Sequence, residues 1–224
     1  MYIKSRVASL VYKIAATAVT LGGLLLIFGV PNTFNLSLIK YYTVLSNLLC
    51  LALLSASAAH VAVQMKRSGS HGAATYRPCC KGAVTIAITL TLLVYQFMLA
   101  DTPFSMTEGG AGNIFVHLLT PVLVILDWLL FDEKGHYRAS DPLRWAIIPL
   151  CYLLYALIAA PLGVTYLGGS RYPYFFVDID LIGVGGVARY VLAVTVVFMV
   201  LGYIMVGLDR WMGRHTKTEG ASEI

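Results

Sequence analysis

The chain has 224 residues, 58% of them hydrophobic and 12% charged, with a formal net charge of +5. A soluble domain needs about a quarter of its residues charged to coat its surface, so this composition excludes a soluble globular protein and points to lipid. The basic residues stand in short blocks between apolar runs, which is the pattern of membrane topology, so no nucleic-acid partner is expected.

A bilayer core of about 30 Å needs roughly 20 apolar residues in a helix. Six runs qualify, at about 7–30, 40–64, 82–100, 113–131, 143–161 and 187–208. No ten-residue segment alternates with period two, which disfavours a barrel. The expected fold is all-α: a polytopic membrane protein, one domain over 1–224, built as a bundle of six transmembrane helices. The first run resembles a signal peptide, but it is too long and no A-x-A site follows before Pro31, so it reads as a retained helix.

The second run opens "KYYTVLSNLLC" and carries Thr43, Ser46 and Asn47 in its first turns. A basic connection (65–81) with adjacent Cys79 and Cys80 leads to the third run, which holds Gln96 near its far end. Acylation of those cysteines is a minor reading. The acidic, glycine-rich "DTPFSMTEGGAG" (101–112) precedes the fourth run, which carries Asn113, His117, Thr120 and Asp127. Asp127 lies near the end of its run, where a polar anchor in reach of water or a helix–helix hydrogen bond is the plain reading. After the fifth run, the segment 161–186 is too apolar and aromatic for a free loop. It is expected to lie on or dip into the membrane face, with Tyr172, Tyr174, Phe175 and Phe176 as a lid over a cavity or as headgroup-level anchors.

With the N-terminus in the cytoplasm, thirteen Lys and Arg fall on the inner side and three (Lys40, Arg171 and Arg189) on the outer. Both termini are therefore expected inside, consistent with an even number of spans. Counting about 1.5 Å per residue from the outer ends puts Thr43, His117 and Gln96 at roughly 5, 6 and 7 Å depth. Three polar groups on three helices share one layer, joined by Ser46, Asn47, Asn113 and Thr120.

Ionisable groups inside spans are costly and tend to face the protein interior. His117 has three readings: a structural hydrogen-bonding residue, a haem or metal ligand, or a general base. His60, His71, His136 and His215 all lie toward the other face, so a metal or haem site is disfavoured, and no cofactor or metal is expected. Thr43, Ser46 and Asn47 are each unremarkable alone, as helix-bonded or interhelical polar residues. A hydroxyl beside an imidazole on another helix, however, makes a nucleophile and base pair. No G-x-S-x-G, H-E-x-x-H or P-loop signature is present.

The stretches "YYTVLSN" (41–47), "HLLTPVLVILDWLLF" (117–131) and "YPYFFVD" (172–178) resemble the androgen-induced, androgen-dependent membrane protein family and its bacterial six-span relatives. That resemblance implies an intramembrane threonine hydrolase of fatty acid esters of hydroxy fatty acids. It assigns the nucleophile to Thr43 and the histidine to His117. Together with the polar layer, it predicts that His117 takes the Thr43 proton and that amides among Asn47, Gln96 and Asn113, with Ser46 nearby, hold the oxyanion or position substrate. Asp101 is a weak candidate to orient His117, and a simple dyad is equally compatible. The substrate partner would be a bilayer lipid, and the location an integral membrane protein of the inner membrane in a bacterium. The rival reading is a non-enzymatic protein that binds or moves a lipid or small solute, with the polar layer lining its site.

Overall fold

The computed structural model describes residues 2–102, 104 and 110–221, with side chains described up to Arg214. Half of the acidic connection 101–112 therefore lies outside the described residues. Six helices are long and apolar enough to cross a membrane: α1 (Arg6–Ile27), α2 (Tyr42–Ser68), α3 (Pro78–Leu99), α4 (Gly110–Phe131), α5 (Asp141–Ala159) and α6 (Ile179–Arg214). No strand occurs among the described residues. The chain is an all-helical integral membrane protein by these six spans.

The helix ends follow local chemistry. Ser5 caps α1 by accepting from the Ala8 N–H at 3.2 Å. Pro78 starts α3 at a position whose missing N–H costs nothing. Tyr41 precedes α2 without a side-chain cap, so the first backbone N–H groups of α2 are left for other partners. The sixth helix begins eight residues earlier than the sequence suggested, because Gly183 at φ +68° absorbs a break that joins two helical pieces.

Helix α3 is central and packs on α2, α4, α5 and α6. One core lies between α1, α2, α3 and α4, around Ala16, Cys50, Leu54, Ile88 and Val124. Another joins α3, α4, α5 and α6 through Leu90, Trp128, Trp145 and Phe198. With lipid as solvent, close packing rather than water exclusion holds such helices together, and small residues permit it. A Cβ on Gly82 would stand 2.4 Å from Trp145, and one on Gly23 would stand 2.6 Å from the Cβ of Phe115.

Two helices widen by one residue. Tyr95–Leu99 at the end of α3 and Phe115–Leu119 within α4 are π-helical turns. Such turns occur frequently at functional sites.

Near the end that carries the termini, the interior holds charge. Asp127 is fully buried between Lys13, at 2.5 Å, and Lys81, and Lys81 also reaches Asp132 at 3.4 Å. Of the two readings of Asp127, the bond between helices is the one found, not the anchor reaching water. Lys81, expected in the basic connection, lies inside because α3 starts at Pro78. Lys134 closes the end of α4 by donating to the carbonyls of Trp128 at 2.7 Å and Asp132 at 2.6 Å.

Candidate functional site

At the opposite end of the bundle, Thr43 in the first turn of α2 faces His117 in the π-turn of α4. Thr43 Oγ1 and His117 Nε2 are 3.1 Å apart. His117 Nδ1 lies 3.2 Å from the carbonyl of Asn113, four residues back on the same helix. A carbonyl only accepts, so Nδ1 carries the imidazole proton and Nε2 presents its lone pair. The Thr43 hydroxyl must then donate to Nε2. This is the polarity a general base needs.

The imidazole is buried and stacked on Tyr95, with centroids 3.8 Å apart and planes inclined by 20°. Tyr95 belongs to the other π-turn, so the two widened turns meet ring on ring. Its hydroxyl accepts from Asn113 Nδ2. The partner of Nδ1 is thus the Asn113 carbonyl, the place the sequence reading had offered to Asp101.

The remaining polar candidates mostly hold the frame. Asn47 is fully buried and donates from Nδ2 to the carbonyls of Thr43 at 2.8 Å and Val116 at 3.0 Å. Both amide hydrogens are engaged, so Asn47 ties α2 to α4 and leaves no donor for an oxyanion. Ser46 donates to the Thr43 carbonyl at 3.0 Å and shares a 2.9 Å hydrogen bond with Thr91. Gln96 accepts from the backbone N–H of Phe104 at 2.6 Å, anchoring the chain beyond α3. Asn113 acts through its carbonyl on His117 and its amide on Tyr95. His60 lies apart, beside Tyr76.

Thr43 also forms one wall of an apolar cavity of about 110 Å³ between α3, α5 and α6, lined by Leu90, Ala146, Leu153, Val194 and Phe198 among others. Tyr174 and Phe176 close it from the 161–178 connection. The four aromatic candidates therefore separate. Tyr172 and Phe176 are buried against α5, Tyr174 turns inward over Thr43, and only Phe175 remains exposed, at 38%.

The connection is fixed to the start of α2. Lys40 donates to the Thr165 carbonyl and lies over the Tyr166 ring. Tyr41 accepts from the Leu167 N–H at 2.8 Å, and Tyr152 donates to the Lys40 carbonyl at 3.1 Å. Sequence reasoning missed Tyr95, Tyr152 and Tyr41 as members of this site, because tyrosines near a membrane face read as interfacial anchors. The only available signal was their number on that side. Among the described residues, no group of His, Cys, Asp and Glu could hold a metal ion.

Comparison of the chain with protein-family models, curated proteins and solved structures gives no match.

Proposed function

We propose that the protein is an intramembrane hydrolase of lipid esters, with Thr43 as nucleophile and His117 as general base. One observation carries this reading: Thr43 Oγ1 lies 3.1 Å from an imidazole nitrogen whose ring partner, the Asn113 carbonyl, fixes it as the acceptor.

The acyl chain of the ester lies in the apolar cavity, with its carbonyl at Thr43. His117 Nε2 takes the hydroxyl proton as Oγ1 bonds to the carbonyl carbon, and the carbonyl electron pair moves onto oxygen. The tetrahedral adduct collapses, and the departing alkoxide takes the proton back from His117. Water, activated by the same imidazole, then cleaves the acyl-threonine. A site enclosed by helices excludes bulk water and strengthens each polar contact on the developing charge.

Fatty acid esters of hydroxy fatty acids are the substrate class that the sequence resemblance brings, and a largely apolar cavity beside the Thr43 hydroxyl suits an acyl chain. Both termini lie in the cytoplasm in this reading, and the Thr43 end belongs to the outer leaflet of the cytoplasmic membrane. With Lys13, Lys81 and Lys134 drawn into the buried cluster, the Lys and Arg bias behind that orientation is ten to three, still strongly one-sided.

The test is hydrolysis of a branched fatty acid ester of a hydroxy fatty acid, and of a short chromogenic ester, by purified protein in micelles. Wild type is expected to turn over both. Thr43→Ala and His117→Ala are expected to lose activity while His60→Ala retains it. Retention of the rate by Thr43→Ala would overturn the reading in favour of a lipid-binding cavity.

A further inference from the structure

With both Asn47 amide hydrogens spent on two carbonyls, the Asn113 amide bonded to Tyr95, and Gln96 outside the residues that line the Thr43 cavity, none of the three expected amides faces the place an ester carbonyl would take. A hydrolase of this design still needs a donor at Thr43, because an unsolvated oxyanion in an apolar cavity is prohibitively unstable. This inference rests on the function proposed above and deepens it.

We infer that Tyr174, from the connection between α5 and α6, is the oxyanion donor of the Thr43 site. Three observations converge on it. Tyr174 and Thr43 line the same cavity, so the phenol faces the space an ester carbonyl would occupy. Its hydroxyl lies in reach of the Thr43 side chain, of the uncapped first turn of α2 at Tyr42 and Thr43, and of Tyr152. Its ring is held on several sides: parallel to Phe176 at 5.2 Å, and inclined to Tyr41 at 6.0 Å and Tyr152 at 6.5 Å.

The directions of the hydrogen bonds agree. The Thr43 proton is engaged with His117, so Thr43 Oγ1 is an acceptor toward every other neighbour. The Tyr174 oxygen stands before the uncapped N–H groups of α2, and its proton has two acceptors in reach, Thr43 Oγ1 and the Tyr152 oxygen, whose own proton goes to the Lys40 carbonyl. When Oγ1 bonds to carbon, its lone pair is consumed and negative charge grows on the adjacent carbonyl oxygen. The Tyr174 O–H then swings its donation onto that oxygen, still backed by the α2 N–H groups, which polarise it further. The same helix start carries positive partial charge toward the reacting centre. Burial keeps the phenol above its ordinary titration range, so it remains a donor at neutral pH.

Tyr174→Phe removes one oxygen and keeps the ring stack. It is expected to lower kcat by roughly a hundred- to a thousandfold, with KM for the ester changed less than about threefold. Binding of a trifluoromethyl ketone analogue, whose adduct with Thr43 carries the oxyanion, should weaken in parallel. Binding of an unreactive ether analogue should not. Tyr190→Phe is the control: it removes a hydroxyl from a ring that touches Phe175 and Phe176 outside the cavity, and its kinetics should match wild type. If Tyr174→Phe keeps its kcat, or loses affinity for ether and ketone alike, or if Tyr190→Phe falls equally, the inference is overturned. In each of those cases loss of turnover in Thr43→Ala leaves the hydrolase reading standing. Absence of turnover in wild type removes both.

Discussion

His117 and Tyr95 lie face to face, 3.8 Å between ring centroids, each on a π-helical turn of a different helix. The stack and the Asn113 carbonyl leave the imidazole one orientation. Tyr95→Leu is expected to lower kcat for ester hydrolysis on the order of tenfold with KM little changed, since a loosened base costs more at the transition state than in binding. Tyr95→Phe retains the stack and should lie between this variant and wild type.

Asn47 joins the carbonyls of Thr43 and Val116 across two helices. Its replacement by Ala leaves two buried carbonyls with a partner fewer, at a cost of about 1–3 kcal/mol. Asn47→Asp should be worse, because a carboxylate then faces both carbonyls. Thermal unfolding in detergent would rank them as wild type, Asn47→Ala, Asn47→Asp. Activity should fall with the first substitution, as α2 and α4 lose the tie that sets the Thr43–His117 distance.

Gly22 and Gly23 are neighbours with opposite surroundings. A Cβ at Gly22 meets nothing within 4 Å, whereas one at Gly23 meets the Cβ of Phe115 at 2.6 Å, at the start of the turn that carries His117. Gly22→Ala should therefore leave rate and melting temperature unchanged. Gly23→Ala should cost about 1–3 kcal/mol through overpacking and lower kcat without touching any polar group of the site. Equal behaviour of the two variants would contradict the packing described.

Asp127 is shared by Lys13 and Lys81 with no exposure to solvent. Removing the shared partner strands Lys13 and leaves Lys81 only its longer contact to Asp132, so Asp127→Ala should destabilise by about 3–5 kcal/mol. Lys13→Met should cost clearly less, because Lys81 still neutralises the carboxylate. Guanidinium-free thermal denaturation with matched detergent checks the order.

The spans were legible because length and hydropathy alone decide them, and the common depth of Thr43 and His117 followed from counting residues from helix ends. Facing was not legible. A π-turn inserts one residue, which rotates everything beyond it by about 100° relative to a regular helix. Nothing in "NIFVHLLTP" or "LVYQFMLA" marks that insertion. The partners of the amides were not legible for a related reason: which carbonyl an Asn reaches depends on the neighbouring helix, and Asn47 finds Val116 sixty-nine residues away. Lys13 and Lys81 count among the thirteen basic residues of the inner side, and nothing in their neighbourhood in the sequence marks them as buried. Only the approach of α4 with Asp127 turns them inward.

That triad also orders the birth of the protein. The ribosome delivers Lys13 with the first helix and Lys81 with the third, and Asp127 comes only with the fourth. A lysine at the centre of a lone membrane helix costs about 2.5–3.5 kcal/mol to insert, and Lys13 and Lys81, nearer their helix starts, cost less. Until Asp127 arrives, both side chains must stretch back toward the aqueous edge. The fourth helix thus acts as the clasp of the growing chain, and capture of its carboxylate is the event that seats the first and third helices beside it.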